Sequence, residues 1–226
     1  MSRPLPIVVL ISGGGTNLQA IIDGAADGSL PVEIRAVISS QGDAYGLERA
    51  RRAGIPVAVL EKQSHPERAD YDRALMALID SFEPELLVLA GFMRILTPEF
   101  VTHYADRIMN IHPALLPKFR GLHTHERAIA AGEREHGASV HFVTPDLDAG
   151  PLIVQATVPV LAGDTPEVLA ARVLQQEHQI YPLAIRWFAE GRLAVNGGEV
   201  HLDGRPLGPQ GFDYRAPQPQ EARPAC

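Results

Sequence analysis

The stretch Pro6-Ile7-Val8-Val9-Leu10-Ile11-Ser12-Gly13-Gly14-Gly15-Thr16-Asn17 changes character twice. Its first half is a continuous apolar run rich in β-branched residues, which suits a strand buried on both faces. Glycines then break the run, and Leu18, Ile21 and Ile22 follow at helical spacing. Strand, tight loop and helix therefore succeed one another at the start of the chain.

The same alternation extends outward from this stretch. Ile34 to Ser39 reads as a strand, Tyr45 to Ala53 as a helix stopped by Gly54, and Val57 to Leu60 as another strand. A longer helix is expected from about Pro66 to Ser81, with Leu75, Leu78 and Ile79 on one side, before the wholly apolar strand Leu86 to Ala90. Such alternation implies an α/β fold with a mostly parallel central sheet and helices on both faces. Beyond Gly91 the rhythm is less regular. Arg107 to Ile111 is read as a strand, His112 to Thr124 as a loop, a short helix lies near Glu126 to Ala131, and Ser139 to Val143 and Leu152 to Val160 are two more strands. Pro159 marks the last of these as an edge or a strand end. Thr165 as N-cap and Pro166 in the first turn open a long helix that continues towards Trp187 and Phe188. Leu193-Ala194-Val195 and Glu199-Val200-His201-Leu202 flank Asn196-Gly197-Gly198 as a hairpin. From Arg205 onward prolines and polar residues dominate, so residues 1–211 are expected to form a single domain and 212–226 a Pro-rich flexible tail.

Composition narrows the classes. At about 150 residues per domain, 226 residues leave no room for two full-sized domains. Hydrophobic residues at 46% and charged residues at 21% support a packed core and exclude collagen-like, mucin-like and coiled-coil chains. The 20 Lys and Arg against 27 Asp and Glu leave a net charge of −7, which repels a polyanion, so no nucleic-acid partner is expected. Cys226 is the only cysteine and can form neither an internal disulfide nor a Cys-based zinc site. No apolar stretch approaches the roughly 18 residues of a membrane span, and no signal peptide is read at the start. A cytoplasmic protein without a membrane partner is the expectation.

Ser12-Gly13-Gly14-Gly15-Thr16-Asn17 lets the backbone approach a ligand, and the free amides of a helix start favour an anion. Either a phosphate site or a tight turn that needs small residues accounts for it. It is not a dinucleotide fingerprint, because Leu18 stands where a third glycine belongs and Ile38-Ser39-Ser40 brings no acidic residue. It is not a Walker loop either, since no Gly-Lys-Ser/Thr follows.

The second half carries the chemistry. In Asn110-Ile111-His112-Pro113 the Asn and His are two apart, so on a strand both project from one face, and Pro113 ends the strand. A His can move protons or, charged, stabilise an oxyanion, and an Asn amide adds a neutral donor. The pair suits acyl transfer; a His and an Asn that satisfy loop backbone is the other reading. In the loop Thr144-Pro145-Asp146-Leu147-Asp148-Ala149-Gly150-Pro151, alternate acids can put one carboxylate inward, where it would orient His112 and favour its charged form, or leave both in solvent. His123, His125, His136 and His141 lack the His-Glu-x-x-His pattern, so no metal is expected. No Gly-x-Ser-x-Gly elbow supports a serine hydrolase.

These segments, together with Leu89-Ala90-Gly91-Phe92-Met93-Arg94-Ile95-Leu96, Gly121-Leu122-His123-Thr124-His125 and His136-Gly137-Ala138-Ser139-Val140-His141-Phe142-Val143, resemble the folate-dependent glycinamide ribonucleotide formyltransferases of purine synthesis. The resemblance runs from Ile7 to about Gly211. It implies a Rossmann-like formyltransferase fold and transfer of a formyl group from 10-formyltetrahydrofolate, as co-substrate, to the amine of glycinamide ribonucleotide, by a monomer or homodimer. It further implies a catalytic centre of Asn110, His112 and Asp148. Gly15, Thr16 and Asn17 would hold the substrate phosphate and Glu177 the glycinamide part. Arg68, Met93, Arg94, Ile95, Leu96, Thr144, Pro145, Asp146 and Leu147 would line the folate site. Gly14, Thr16, Ala114 and Arg120 depart from the usual Asn, Ser, Ser and Pro. Methionyl-tRNA formyltransferases and formyltetrahydrofolate deformylases share a related catalytic domain but typically carry a further domain, for which this length leaves no room. A non-catalytic nucleotide-binding module would leave Asn110, His112 and Asp148 unexplained.

Overall fold

The computed structural model describes residues 3–61, 63, 65 and 67–215. In chain order the elements are β1 (Leu5–Ile11), α1 (Thr16–Ala26), β2 (Val32–Ser39), α2 (Tyr45–Arg52), β3 (Val57–Val59), α3 (Arg68–Asp80), β4 (Leu86–Leu89), α4 (Pro98–His103), β5 (Ile108–His112), α5 (Thr124–Ala130), β6 (Glu135–Phe142), β7 (Leu152–Pro159), α6 (Pro166–Ala189), β8 (Leu193–Asn196), β9 (Glu199–Leu202), β10 (Arg205–Pro206) and β11 (Phe212–Tyr214).

All of β1 is buried, and its pleat divides it between two cores. Ile7, Val9 and Ile11 pack with α1, α2 and α6 on one face of the sheet, whereas Val8 and Leu10 pack with α3 and α4 on the other. That two-sided burial is why the strand reads as an unbroken apolar run rather than an alternating one. The sheet order is β11-β7-β6-β5-β4-β1-β2-β3. Pairing is parallel from β3 through β5, antiparallel across β5–β6 and β6–β7, and parallel again between β7 and β11.

The chain leaves β1 towards β2 on one side and returns to β4 on the other, so the loops after β1 and β4 part at a topological switch point, where open α/β sheets bind ligands. Those loops are joined there. The Ser12 N–H donates to the Gly91 carbonyl at 3.0 Å, and the Met93 N–H donates to Ser12 Oγ at 2.8 Å. Helix α6 locks the neighbouring strand ends from beneath. Thr165 Oγ1 accepts from the Val168 N–H and Pro166 starts the first turn, as a capped helix start requires. Leu169, Val173, Ile180, Ala184 and Ile185 then recur on a single buried face, where each large side chain contributes about 2 kcal/mol. Between them, the Tyr181 hydroxyl lies 2.9 Å from the Leu89 carbonyl and 3.0 Å from that of Met109, binding β4 to β5.

Three sequence expectations need correction. Phe212–Tyr214 is not a free tail but a strand on the outer edge of β7, with Phe212 stacked edge-on against Trp187 at 5.3 Å. Backbone pairing of that kind leaves no mark on composition; residues 216–226, the rest of the expected tail, lie outside the described residues. Arg205–Pro206 likewise pairs with β9, making the expected hairpin a three-stranded sheet. Finally, β6 begins at Glu135, not Ser139. Gly137 concealed its first half, yet is required there, because a Cβ would lie 2.0 Å from the Ala156 carbonyl oxygen. Helix α4, for which no element was expected, has the same Thr-Pro start as α6 and was hidden by its six-residue length. Pro66, the expected start of α3, lies outside the described residues.

Candidate active site

Strand β5 ends in the cleft beneath the switch point, and its two-residue repeat carries Asn110 and His112 there as expected. Asp148 reaches them from the loop between β6 and β7. That loop returns so tightly that a Cβ on Gly150 would lie 1.8 Å from the Phe142 carbonyl oxygen. Asp148 itself takes a left-handed backbone, φ 47°, which turns its side chain inward while Asp146 stays exposed. Its carboxylate faces two imidazoles: Oδ2 lies 3.4 Å from His112 Nδ1 and Oδ1 lies 3.8 Å from His141 Nε2. The Gly121 N–H also donates to Oδ2 at 2.9 Å.

His141 is the member the sequence did not single out. It stands opposite Asn110 across the β5–β6 ladder, and burial pushes its pKa down, against the opposing pull of the Phe142 carbonyl and Asp148. With Nδ1–H donating to the Phe142 carbonyl at 2.8 Å, its Nε2 accepts from Asn110 Nδ2 at 3.1 Å. One amide proton of Asn110 is thereby fixed and the other is left to point elsewhere. The signal in the sequence was the alternation of Ser139 and His141 on one strand beside Asn110, but pairing partners are not readable before the topology is known. His112 gives its Nε2–H to the Phe119 carbonyl at 2.9 Å.

The remaining expected residues divide between two neighbouring regions. At the glycine loop, Gly15 has φ 71° and no room for a side chain, since a Cβ would lie 2.7 Å from Gly46 Cα. Thr16 starts α1, and in the same turn Asn17 Nδ2 donates to Glu177 Oε2 at 2.6 Å, which brings the loop and α6 together. Glu177 is buried, which raises its carboxyl pKa against the Asn17 hydrogen bond. Asn17 Oδ1 is buried without a partner. On the other side of Asn110 is a cleft of about 90 Å³ that unites Arg94, Ile95, Leu96 and Thr144 to Asp148 with His141. Leu89, Phe92, Val101 and Val143 complete its apolar wall, unforeseen in the sequence because they read as ordinary core residues. The Arg94 guanidinium stacks 3.6 Å from the Tyr71 ring centroid and its Nε is buried without a partner. Arg68 and Met93 stand outside this cleft: Arg68 holds the Leu96 carbonyl, and the Met93 side chain is 65% exposed. Among the described residues, no three His, Cys, Asp or Glu side chains are grouped to hold a metal, and no helix is long and apolar enough to cross a membrane.

Residues 5–185, most of the chain, match the formyl transferase family. The chain belongs to that family. This formyl transferase is 56% identical to the phosphoribosylglycinamide formyltransferase of Escherichia coli over 91% of its own length and 97% of the relative's. A protein of the same description from Haemophilus influenzae is 48% identical, again over 91% and 97% of the two chains. Among solved structures, the phosphoribosylglycinamide formyltransferase of Coxiella burnetii superposes on this formyl transferase with a TM-score of 0.90 at 57% identity, covering 94% of this chain and all of the other. The mostly parallel sheet and long final helix are thus a formyl transferase architecture.

Proposed function

We propose that this formyl transferase moves the formyl group of 10-formyltetrahydrofolate to the amine of glycinamide ribonucleotide. The observation that carries this reading is the convergence of Asn110, His112 and Asp148 between an anion-suited glycine loop on one side and a mostly apolar cleft on the other. The names of the relatives support the choice of formyl acceptor. In this reading the glycine loop receives the ribonucleotide phosphate and Asn17 Oδ1 and Glu177 the glycinamide portion. The cleft of Arg94 to Leu96 and Thr144 to Leu147 receives the folate ring.

The unprotonated amine attacks the formyl carbon, a C–N bond forms, and the carbonyl oxygen becomes an oxyanion. Asn110 meets that oxygen with the amide proton that His141 does not occupy. His112 joins it by turning its Nε2–H from the Phe119 carbonyl to the oxyanion, while Asp148 steadies the ring through Nδ1. Asp148 relays the amine proton through water to N10 of the folate as the C–N10 bond breaks. The test is an assay of purified protein with both substrates, following loss of formyl-folate and appearance of the formylated ribonucleotide. Formyl loss that proceeds without the ribonucleotide would instead indicate a deformylase, and no reaction with both substrates would refute the reading.

A further inference from the structure

Two consecutive carbonyls of the glycine loop are tied to α2. The Gly46 N–H donates to the Gly13 carbonyl at 3.0 Å, and Arg49 Nε–H donates to the Gly14 carbonyl at 2.8 Å. In a planar trans peptide the carbonyl and the following N–H point in opposite directions. Holding both carbonyls towards α2 therefore turns the Gly14 and Gly15 N–H groups away from it. Neither amide has a hydrogen-bond partner among the described residues. They border open space, since a Cβ on Gly13 or Gly14 would meet nothing within 4 Å. In the next turn Asn17, 9% exposed, uses its Nδ2 on Glu177 but leaves its Oδ1 without a partner, a further polar atom free for a ligand.

The Gly46 bond is fixed by the backbone of α2, but the second bond depends on one side chain. Arg49 is itself held in place, its Nη1 donating to Gln19 Oε1 on α1 at 3.1 Å and its guanidinium lying 5.0 Å from the Tyr45 ring centroid. No carboxylate among the described residues lies within 4.0 Å to neutralise it. We propose that Arg49 is a positioning residue for the ribonucleotide phosphate: it fixes the Gly14–Gly15 peptide with its N–H facing outward and places a positive charge behind the loop. This rests on the reading of the glycine loop as the phosphate site. It gives α2, which contributes nothing to the catalytic trio, a function in substrate capture.

The experiment compares glycinamide ribonucleotide with the phosphate-free glycinamide riboside in wild type, Arg49→Met and Arg49→Lys, after a thermal melt has shown each to be folded. Arg49→Met raises the ribonucleotide KM about tenfold, the scale of one charge-assisted hydrogen bond, and leaves the KM values for the riboside and for 10-formyltetrahydrofolate within about twofold. Arg49→Lys, with a charge and a donor that reaches one carbonyl, returns the ribonucleotide KM to within about threefold of wild type. An unchanged ribonucleotide KM in Arg49→Met, or an equal rise for ribonucleotide and riboside, overturns the inference. A wild type that does not distinguish the two substrates overturns the phosphate reading of the loop, a failure visible before any variant is examined.

Discussion

Asp148 faces two imidazoles with its two oxygens, and only one of them, His112, is free to change partners, since His141 is committed to the Phe142 carbonyl and Asn110. His112→Ala and Asp148→Asn are therefore expected to keep substrate KM values within a few-fold and to lower kcat at least about a hundredfold, the scale of acid–base and oxyanion groups. Near-normal turnover of both purified variants would remove the trio from the chemistry. His141 acts through Asn110, so His141→Ala should cost about tenfold in kcat, and the double variant with Asn110→Ala should be no slower than Asn110→Ala alone. Additive losses in that cycle would mean that His141 has a separate role. At this scale the sequence was informative wherever chemistry depended on spacing along one strand, as for Asn110 and His112. It was silent on a role for His141, which meets Asn110 only as a cross-strand neighbour, and spacing alone left Asp146 and Asp148 level, because the left-handed turn at Asp148 separates them; only the family resemblance had favoured Asp148.

Elements hold these residues by contacts that also respond to pH. Between α5 and β6, His136 Nε2 meets His125 Nδ1 at 3.2 Å, and Phe119, the residue bonded to His112, packs against the His136 ring. Burial first, and His125 second, push the His136 pKa down to about 4. An unfolded chain takes up this proton near pH 6.5, whereas the folded ring refuses it until about pH 4. The contribution is complete above about pH 6.5 and is lost as pH falls, by about 1.4 kcal/mol per unit across that window. Urea midpoints measured at about pH 7 and about pH 5 should fall further for the wild type than for His136→Gln. Equal falls would show that the ring titrates normally. Long or capped elements such as β1 and α6 were legible because periodicity and caps are local; α4 and the first half of β6 were not, being short or interrupted by a glycine that packing demands.

Across the whole molecule, the sheet is closed at one end by the short β3 and at the other by β11. Removing the chain after Gly211 strips the outer hydrogen bonds of β7 and uncovers Trp187, the single tryptophan. A loss of about 2 kcal/mol in urea unfolding is expected, with a red shift of tryptophan emission and greater light scattering. Unaltered emission and midpoint would mean that β11 contributes nothing to the edge. The alternation of apolar runs with segments of helical spacing correctly indicated an α/β chain, but the order of strands, and hence which loops meet, follows from three-dimensional pairing that no local pattern records. The late position of β11 also has a consequence during synthesis. About fifty residues separate β7 from β11, which at about 5–20 residues per second leaves roughly 3–10 seconds in which a growing chain displays an unpaired parallel edge. Neighbouring nascent chains on one messenger are exposed to cross-pairing during that interval, and the arrival of β11 ends it.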